Sequence, residues 1–279
     1  MQLKSFDYIS DIHIDIWLNH KHRIEEEKYN DLSDFVQNIL VPKTNELLII
    51  AGDISNRLED TFKLLIILKT YYNNIIIVPG NHEMYIINAK DRYKYRLDSK
   101  RKLESLNLFC NENNLIFLNG DYIELYGLRI VGGMMYSNQT YSNESYQDLK
   151  NNWYNNSNDS NHIYYTNSHG RFTYEEQQIH FKEEREKLYK YKDIDICITH
   201  FPPITSSNMP DKFKDHISNN FYYFKDDLLT ERLNPSVWIY GHIHNKHLDI
   251  INGTKYISNP LGYPKENTYN QITEHYYEY

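Results

Sequence analysis

The sequence is poor in glycine, in cysteine and in positive charge. Only ten of its 279 residues are glycine and two are cysteine. Cys197 lies in an apolar run far from Cys110, which favours a buried thiol over half of a disulfide. Thirty Lys and Arg stand against 38 Asp and Glu, a net charge of −8. This balance disfavours a broad basic surface that would bind extended duplex nucleic acid, although a nucleotide or a short oligonucleotide stays open as a substrate.

Long apolar runs are also absent from the sequence. No stretch has the length of a transmembrane helix, and the first residues lack the charged and apolar segments of a secretory signal. We therefore expect a soluble cytoplasmic protein that does not bind membranes. The hydrophobic share of 40% and the length of 279 residues suit a globular chain with a substantial core. The prediction is one domain over residues 1–279.

Five short apolar runs predict β-strands, because each is rich in Ile, Val, Leu or aromatic residues and ends in polar sequence. They cover residues 3–10, 46–53, 74–81, 193–200 and 236–244. Continuous apolar runs are typical of strands covered on both faces of an α/β sheet. Helical spacing predicts helices over 60–73, 91–113 and 174–191.

Three further segments have other patterns. Residues 116–133 and 246–260 predict hairpins, with Asn119-Gly120 and Asn252-Gly253 as the turns. Residues 137–170 are dense in Asn, Ser and Tyr and have little apolar periodicity, which indicates a long polar insertion at the surface. Its Trp153, Tyr154, Tyr164 and Tyr165 could cover a site and contact a base or sugar.

Each of the five apolar runs is followed by side chains that bind metals. The side chains are two Asp, one Asn and four His: Asp11, His13, Asp53, Asn81, His200, His242 and His244. The carboxyl ends of strands in an open α/β sheet meet at the edge where ligands bind. No single motif is specific, but five in order, each behind a strand, indicate one shared metal site.

Seven ligands exceed what one tetrahedral zinc ion requires, so we predict two divalent ions. Imidazole, carboxylate and amide groups suit manganese, iron, zinc, nickel or magnesium, with Mn²⁺ the expected ion in vitro. Asp53 is the best bridging ligand, because it is central in the order of strands. Glycines beside Asp53, Asn81 and His242 would let the backbone approach the site closely.

The ordered motifs from Asp11 to His244 resemble those of the calcineurin-like metallophosphoesterase superfamily. The stretch 238–267, with its Asn-Pro-x-Gly-Tyr-Pro segment, is similar to a poorly characterised subgroup of predicted phosphohydrolases. The resemblance implies an α/β fold, a four-layer α/β/β/α sandwich with two central mixed β-sheets flanked by helices. It implies one metal on Asp11, His13, Asp53 and His244, and a second on Asp53, Asn81, His200 and His242.

The resemblance also implies that His82 faces the substrate without binding metal. Two ions about 4 Å apart can share a hydroxide that attacks a phosphate ester, while His82 donates a proton to the leaving oxygen or stabilises the charge that develops there. A structural role for His82, bonded to a nearby carbonyl, stays open. The remaining histidines, His20, His22, His162, His169 and His247, are expected at the surface.

The motif around Asp53 departs from that of the protein Ser/Thr phosphatases. It reads Gly52-Asp53-Ile54-Ser55-Asn56-Arg57-Leu58, so Asn56 replaces the Asp that would pair with His82. Arg57 stands where a phosphate-binding arginine would lie, but it lacks the flanking glycine and is expected at the surface. Protein phosphatase activity is therefore disfavoured, and no tyrosine ligand motif of the purple acid phosphatases is present.

Three functions follow from this reading. The first is a phosphodiesterase or phosphatase (phosphomonoesterase) acting on a small phosphate ester or a nucleotide. The second is a nuclease for short or single-stranded nucleic acid, which the acidic balance weakens. The third is a non-catalytic scaffold of the same fold, which the complete ligand set disfavours.

Overall fold

A computed structural model describes residues 3–18, 25–43, 46–140, 142–165, 170–203, 216–266, 268 and 270–277. All five apolar runs are strands. In chain order the described strands are β1 (Ser5–Ile9), β2 (Leu47–Ala51), β3 (Asn74–Val78), β4 (Ile116–Phe117), β5 (Asp121–Leu125), β6 (Leu128–Gly133), β7 (Tyr164–Tyr165), β8 (Gly170–Arg171), β9 (Ile196–Thr199), β10 (Val237–Tyr240), β11 (His247–Ile251), β12 (Thr254–Ser258) and β13 (Thr273–Tyr276).

The described α-helices cover the outside of the sheets. They are α1 (Ile14–Trp17), α2 (Glu25–Phe35), α3 (Leu58–Leu68), α4 (Ala89–Lys94), α5 (Ser99–Glu112), α6 (Tyr146–Asn156), α7 (Asp159–His162), α8 (Tyr174–Leu188) and α9 (Asp227–Leu233). A π-helical turn, Val36–Leu40, extends α2. The polar segment before this turn has no apolar run, and we predicted no helix there.

Two large mixed sheets form the centre of the molecule. The first has the order β13-β1-β2-β3-β4, and the second has the order β11-β12-β10-β9-β6-β5. Strands β1 to β4 pair in parallel, as do β12, β10, β9 and β6. The outer strands β13, β11 and β5 run antiparallel to their neighbours. Parallel strands place their carboxyl ends at one edge, and here both sheets do so.

The alternation of side chains along β2 shows how the layers pack. Leu47, Ile49 and Ala51 point into a core shared with Ile130, Ile198 and other residues of the second sheet. Leu48 and Ile50 point the other way, into a core with α3 and α5. A third core lies between the second sheet and α6, α8 and α9. Both sheets are thus covered on both faces, and the predicted four-layer α/β/β/α sandwich is confirmed.

Two local predictions are wrong. The turn at Asn119-Gly120 does not close a hairpin; it carries the chain from β4 in the first sheet to β5 in the second. The hairpin turn lies instead at Tyr126-Gly127, where both residues have positive φ. The predicted helix 91–113 is two helices, because Arg96 and Leu97 adopt left-handed backbone between α4 and α5. The second hairpin turn, Asn252-Gly253, is confirmed.

The segment 137–170 is more ordered than its composition indicates. Within its described part, α6, α7 and β7 form, and Trp153 is fully buried against Phe172. Leu149 and Trp153, four residues apart on α6, both join the core of the second sheet. The prediction of a purely surface excursion is therefore wrong for this helix.

Two simpler expectations concern cysteine and membranes. Cys197 is buried as a free thiol, as predicted, and so is Cys110. None of the described helices is both long and apolar enough to cross a membrane.

Candidate metal centre

The seven predicted ligands all follow strands whose carboxyl ends meet where the two sheets adjoin. Asp11 and His13 follow β1, and Asp53 and Asn81 follow β2 and β3. The second sheet contributes His200 after β9 and His242 and His244 after β10. The backbone ties these loops together, since Asp11 N–H donates to Gly52 O at 3.0 Å and Gly241 N–H donates to His200 O at 3.0 Å.

Most of these ligands have an unusual backbone. Five of the seven have φ between 42° and 70°, in the left-handed region that side chains other than Gly rarely adopt: Asp11, His13, Asp53, His242 and His244. Such strain is concentrated at functional sites, where the surrounding structure holds it. The neighbouring glycines are required, because a Cβ on Gly80 would lie 2.1 Å from Asp53 Oδ1. The predicted close approach of the backbone is confirmed.

One group of ligands consists of Asp11, His13 and His244. Their ligand atoms lie within 4.8 Å of one another. The His244 Nε2 atom is 3.4 Å from Asp11 Oδ1 and 2.9 Å from His13 Nε2. His244 Nδ1 donates to Glu266 Oε2 at 2.8 Å, so its Nε2 is turned toward the group. Two imidazole nitrogens that face each other need a proton or a cation between them.

A second group consists of Asp53, His200 and His242. The His200 Nε2 atom lies 3.3 Å from Asp53 Oδ2 and 3.1 Å from the amide oxygen of Asn81. His200 Nδ1 donates to Ala51 O at 2.9 Å, which leaves Nε2 free to coordinate an ion. His242 is packed against Phe201 at 4.0 Å between ring centroids.

A buried carboxylate orients the Asn81 side chain. The amide nitrogen of Asn81 donates to Asp159 Oδ1 at 2.8 Å and to the Tyr85 hydroxyl at 3.0 Å. Tyr85 in turn donates to the same Asp159 oxygen at 2.7 Å. Because a carboxylate accepts and does not donate, the amide oxygen of Asn81 must face His200 and the metal centre.

Buried ring nitrogens without hydrogen-bond partners fit a role as metal ligands. Both ring nitrogens of His242 and Nδ1 of His13 are buried without a hydrogen-bond partner. Such groups are costly in a protein interior unless a ligand satisfies them. Burial and neighbouring histidines lower the pKa of His13 and of His242 well below the usual value, which favours the neutral form that binds metals.

The imidazoles of His200 and His244 have raised pKa values, unlike those of His13 and His242. Burial opposes the charged form of His200, but Asp53 outweighs it and raises the pKa of His200 to about 9. Burial is likewise outweighed at His244, where Asp11 and Glu266 raise the pKa to about 10. Metal binding at these two residues would therefore release protons.

His82 lies at the rim of both groups. Its Nε2 is 3.8 Å from Asp53 Oδ2, and its side chain is 12% exposed. Its backbone N–H donates to Asp53 Oδ1 at 3.0 Å, and its Nδ1 bonds to the side-chain oxygen of Asn56 at 2.9 Å. His13, Asp53 and His82 also lie within 4.8 Å of one another, so geometry allows His82 as a further ligand.

The family model for calcineurin-like phosphoesterases matches residues 5–246. The chain belongs to the calcineurin-like phosphoesterase family. An uncharacterised protein, L509, of Acanthamoeba polyphaga mimivirus is 27% identical in an alignment of 272 positions that covers 93% of this chain and 91% of that protein. The structure is similar to that of the phosphopantetheinyl hydrolase PptH from Mycobacterium tuberculosis, with a TM-score of 0.65, 16% identity and coverage of 98% and 97% of the two chains.

A cavity of about 600 Å³ opens over the metal centre of this calcineurin-like phosphoesterase. His82, His242, His244, Tyr222 and Tyr263 are among the residues that line it. The Tyr263 ring packs against His13 and His244 at 4.6 and 4.7 Å between centroids. Among the described residues, no Lys or Arg lines the cavity. Positive charge toward a phosphate would therefore come from the metal centre.

The aromatic residues that we predicted as a cover lie elsewhere. Trp153 and Tyr165 are buried in the core of the second sheet, and neither lines the cavity. The polar segment contributes residues 156–159 instead. Arg57 forms an ion pair with Asp60 at 2.7 Å and is absent from the lining among described residues.

The remaining histidines are partly described. His162 and His247 are outside the three described metal-ligand groups, and His247 Nδ1 bonds to the Tyr240 hydroxyl at 2.5 Å. His20, His22 and His169 lie outside the described residues.

Sequence reasoning missed the residues that position this centre. Glu83 accepts four backbone hydrogen bonds: Oε1 from Ile54 and Ser55, and Oε2 from Asp53 and Gly80. Glu266 and Asp159 orient His244 and Asn81. The only available signal was proximity, since Glu83 ends the Gly-Asn-His-Glu motif and Glu266 follows the Gly-Tyr-Pro segment.

Proposed function

We propose that this protein hydrolyses a small phosphate ester with two divalent metal ions, Mn²⁺ being effective in vitro. One observation carries the proposal: seven metal-binding side chains from five strands converge at one edge, with buried imidazole nitrogens that lack partners. In the proposed arrangement Asp11, His13 and His244 hold one ion and Asn81, His200 and His242 the other. Asp53 lies between the two groups, 3.8 Å from His13 and 3.3 Å from His200.

Bound divalent ions supply a water of lowered pKa and charge that stabilises the phosphoryl oxygens. The chain supplies the rest. Asp159, Glu266 and the Ala51 carbonyl hold Asn81, His244 and His200 in orientation. Tyr263 covers the rings of His13 and His244 and limits access of water to them. His82 Nε2 faces the cavity and gives a proton to the leaving oxygen as the P–O bond breaks.

The cavity supports a small substrate with a single phosphate. Apart from its histidines, the described lining is neutral or acidic and includes amide side chains and tyrosines. A polyphosphate or an extended nucleic-acid backbone would find no cation among these residues to neutralise its further charges. An uncharged polar alcohol fits this lining better.

Chromogenic esters test the activity. The protein loaded with Mn²⁺ is expected to hydrolyse bis(p-nitrophenyl) phosphate, p-nitrophenyl phosphate or both, and the preferred one assigns diester or monoester chemistry. Metal analysis of the same sample should give two ions per chain. Absence of hydrolysis of both esters with Mn, Fe, Zn, Ni and Mg would contradict the proposal.

His82→Ala is expected to keep the metals and to lower kcat by about 10²-fold or more, the usual contribution of a general acid. The measurement is metal content by mass spectrometry beside steady-state kinetics. His180→Ala is the control, because His180 lines a different cavity. Loss of metal from His82→Ala would make His82 a ligand instead.

A further inference from the structure

Asn56 occupies the position at which a carboxylate would pair with His82. The side-chain amide of Asn56 is itself bonded to a carboxylate, that of Asp15. Asp15, in the first turn of α1, accepts a hydrogen bond from the Asn56 amide nitrogen to Oδ2 at 2.9 Å. Its Oδ1 accepts from the Ser55 hydroxyl at 3.0 Å and from the backbone N–H of Asn56 at 3.2 Å. A chain of contacts thus runs from Asp15 through Asn56 to His82.

The donors and acceptors in this series of hydrogen bonds have one consistent assignment. An ionised carboxylate only accepts, so Asp15 must face the amide nitrogen of Asn56. The amide oxygen of Asn56 then faces His82 Nδ1, at 2.9 Å, and requires a proton on that nitrogen. With Nδ1–H fixed in this bond, Nε2 is the atom that points into the cavity.

The backbone of Asn56 is anchored as well. Lys102, whose side chain is fully buried, donates from Nζ to the carbonyl oxygens of Asn56 and Tyr85, both at 2.6 Å. The Asn56 carbonyl belongs to the loop after β2, and the Tyr85 carbonyl directly follows the turn that carries His82. Lys102 therefore fixes the backbone of Asn56, and Asp15 decides the orientation of its side-chain amide.

We propose that Asp15 and Asn56 are positioning residues for His82, with Asp15 setting the amide of Asn56 so that His82 presents Nε2 to the leaving group. This inference rests on the proposed function. In the step, a water oxygen bonds to phosphorus and gives up a proton to solvent as the ester P–O bond breaks. The proton on His82 Nε2 passes to the departing ester oxygen, so that the alcohol leaves neutral. The Nδ1 proton stays in its bond to Asn56. A solvent water then returns a proton to Nε2.

Asp15→Asn separates this role from a structural one. The oxygen of the introduced amide can keep the bonds from Ser55 and from the backbone of Asn56, which leaves the introduced NH₂ facing the Asn56 side chain. Asn56 must then turn its own NH₂ toward His82, and the imidazole shifts its proton from Nδ1 to Nε2. We expect unchanged melting temperature, metal content and KM, and a kcat about tenfold lower. The decrease should be larger for phenyl than for p-nitrophenyl esters, because the poorer leaving group needs the proton more.

The exchange variant Asp15→Asn with Asn56→Asp provides the rescue. The amide introduced at position 15 would donate to the carboxylate introduced at position 56. That carboxylate would accept from His82 Nδ1, so the proton on Nδ1 is restored. We expect kcat within about threefold of the wild-type value. A structural role for Asp15 predicts no such recovery. An Asp15→Asn variant with wild-type kcat on phenyl esters, or a folded exchange variant without recovery, would overturn the inference.

Nitrogen-15 NMR of the Zn²⁺-loaded protein reads the tautomer without an activity assay. His82, assigned by the signal lost in His82→Ala, should be protonated on Nδ1 in the wild type and on Nε2 in Asp15→Asn. Wild-type protein with this tautomer but no hydrolysis of any ester would reject the proposed function and keep the positioning. A wild-type His82 protonated on Nε2 alone would reject the positioning itself.

Discussion

Replacing Asp53 with Asn is expected to abolish metal loading and to lower phosphoesterase activity at least about a thousandfold. Asp53 Oδ2 is the carboxylate oxygen nearest to three imidazoles, at 3.8 Å from His13, 3.8 Å from His82 and 3.3 Å from His200. Burial opposes the charge of Asp53, but His200 and His82 outweigh it and hold its pKa well below the usual value. Asn keeps the shape and removes the charge that two cations would share.

The exposed Asp193 provides a matched control for this variant. Asp193 has φ of 53° and Asp53 has φ of 58°, so both replacements place Asn in the same left-handed backbone. Asp193→Asn should therefore leave metal content and activity unchanged. Metal analysis after dialysis, beside hydrolysis of p-nitrophenyl esters, measures both variants. Two bound ions in Asp53→Asn would remove Asp53 from its bridging role.

Glu83→Gln is expected to destabilise the loops that carry Asp53 and Gly80. The Glu83 carboxylate accepts backbone N–H groups at 2.7 Å from Gly80, 2.9 Å from Asp53 and 2.8 Å from Ile54. The NH₂ of Gln would point at two of its four donors and leave them buried without an acceptor. The free energy of unfolding should fall by roughly 3 kcal/mol, since a hydrogen bond to a charged group contributes about 1.5–3 kcal/mol.

Differential scanning calorimetry of the metal-free protein measures this effect apart from metal binding. The melting temperature should fall by roughly 6–12 °C at this chain length. Glu104→Gln, an exposed replacement on α5, should leave it unchanged. Equal melting temperatures for Glu83→Gln and the wild type would show that water or local shifts satisfy the four donors.

The strands and the convergence of the seven candidate ligands were predictable because the two signals coincide. The run Leu47 to Ala51 is apolar at every position, as a strand covered on both faces requires, and Asp53 follows directly. One such side chain behind a buried strand is not specific, but five strands in order repeat the pattern. Repetition of that pattern located the centre without any knowledge of tertiary contacts.

The positioning residues were not predictable in the same way. Asp159 and Glu266 lie in polar segments, and Asp15 lies between Ile14 and Ile16 with no motif around it. The partners of all three are remote in sequence or on another loop. The prediction of a hairpin turn at Asn119-Gly120 was wrong for a related reason. A local turn signal states that the chain reverses or bends, but it does not state which sheet the next strand joins.

The helix α6 shows the effect of composition. Leu149 and Trp153 have helical spacing and are buried, but the other nine positions of α6 hold Tyr, Gln, Asp, Lys and Asn. Two apolar residues in eleven are too few for a periodic signal. Tertiary packing against the second sheet decides that this segment is a helix.

The strand β1, made first, pairs with β13, which is made near the end of synthesis. Ser5 pairs with Tyr276, and the Asn259 amide donates to Tyr8 O at 3.2 Å, beside the loop that carries Asp11. His244 also depends on Glu266, a residue beyond the span of the family model. During synthesis, Asp11 and His13 would therefore leave the ribosome more than two hundred residues before His244 and β13, on which the completed centre depends. Capture of the ions would be among the last events in its maturation.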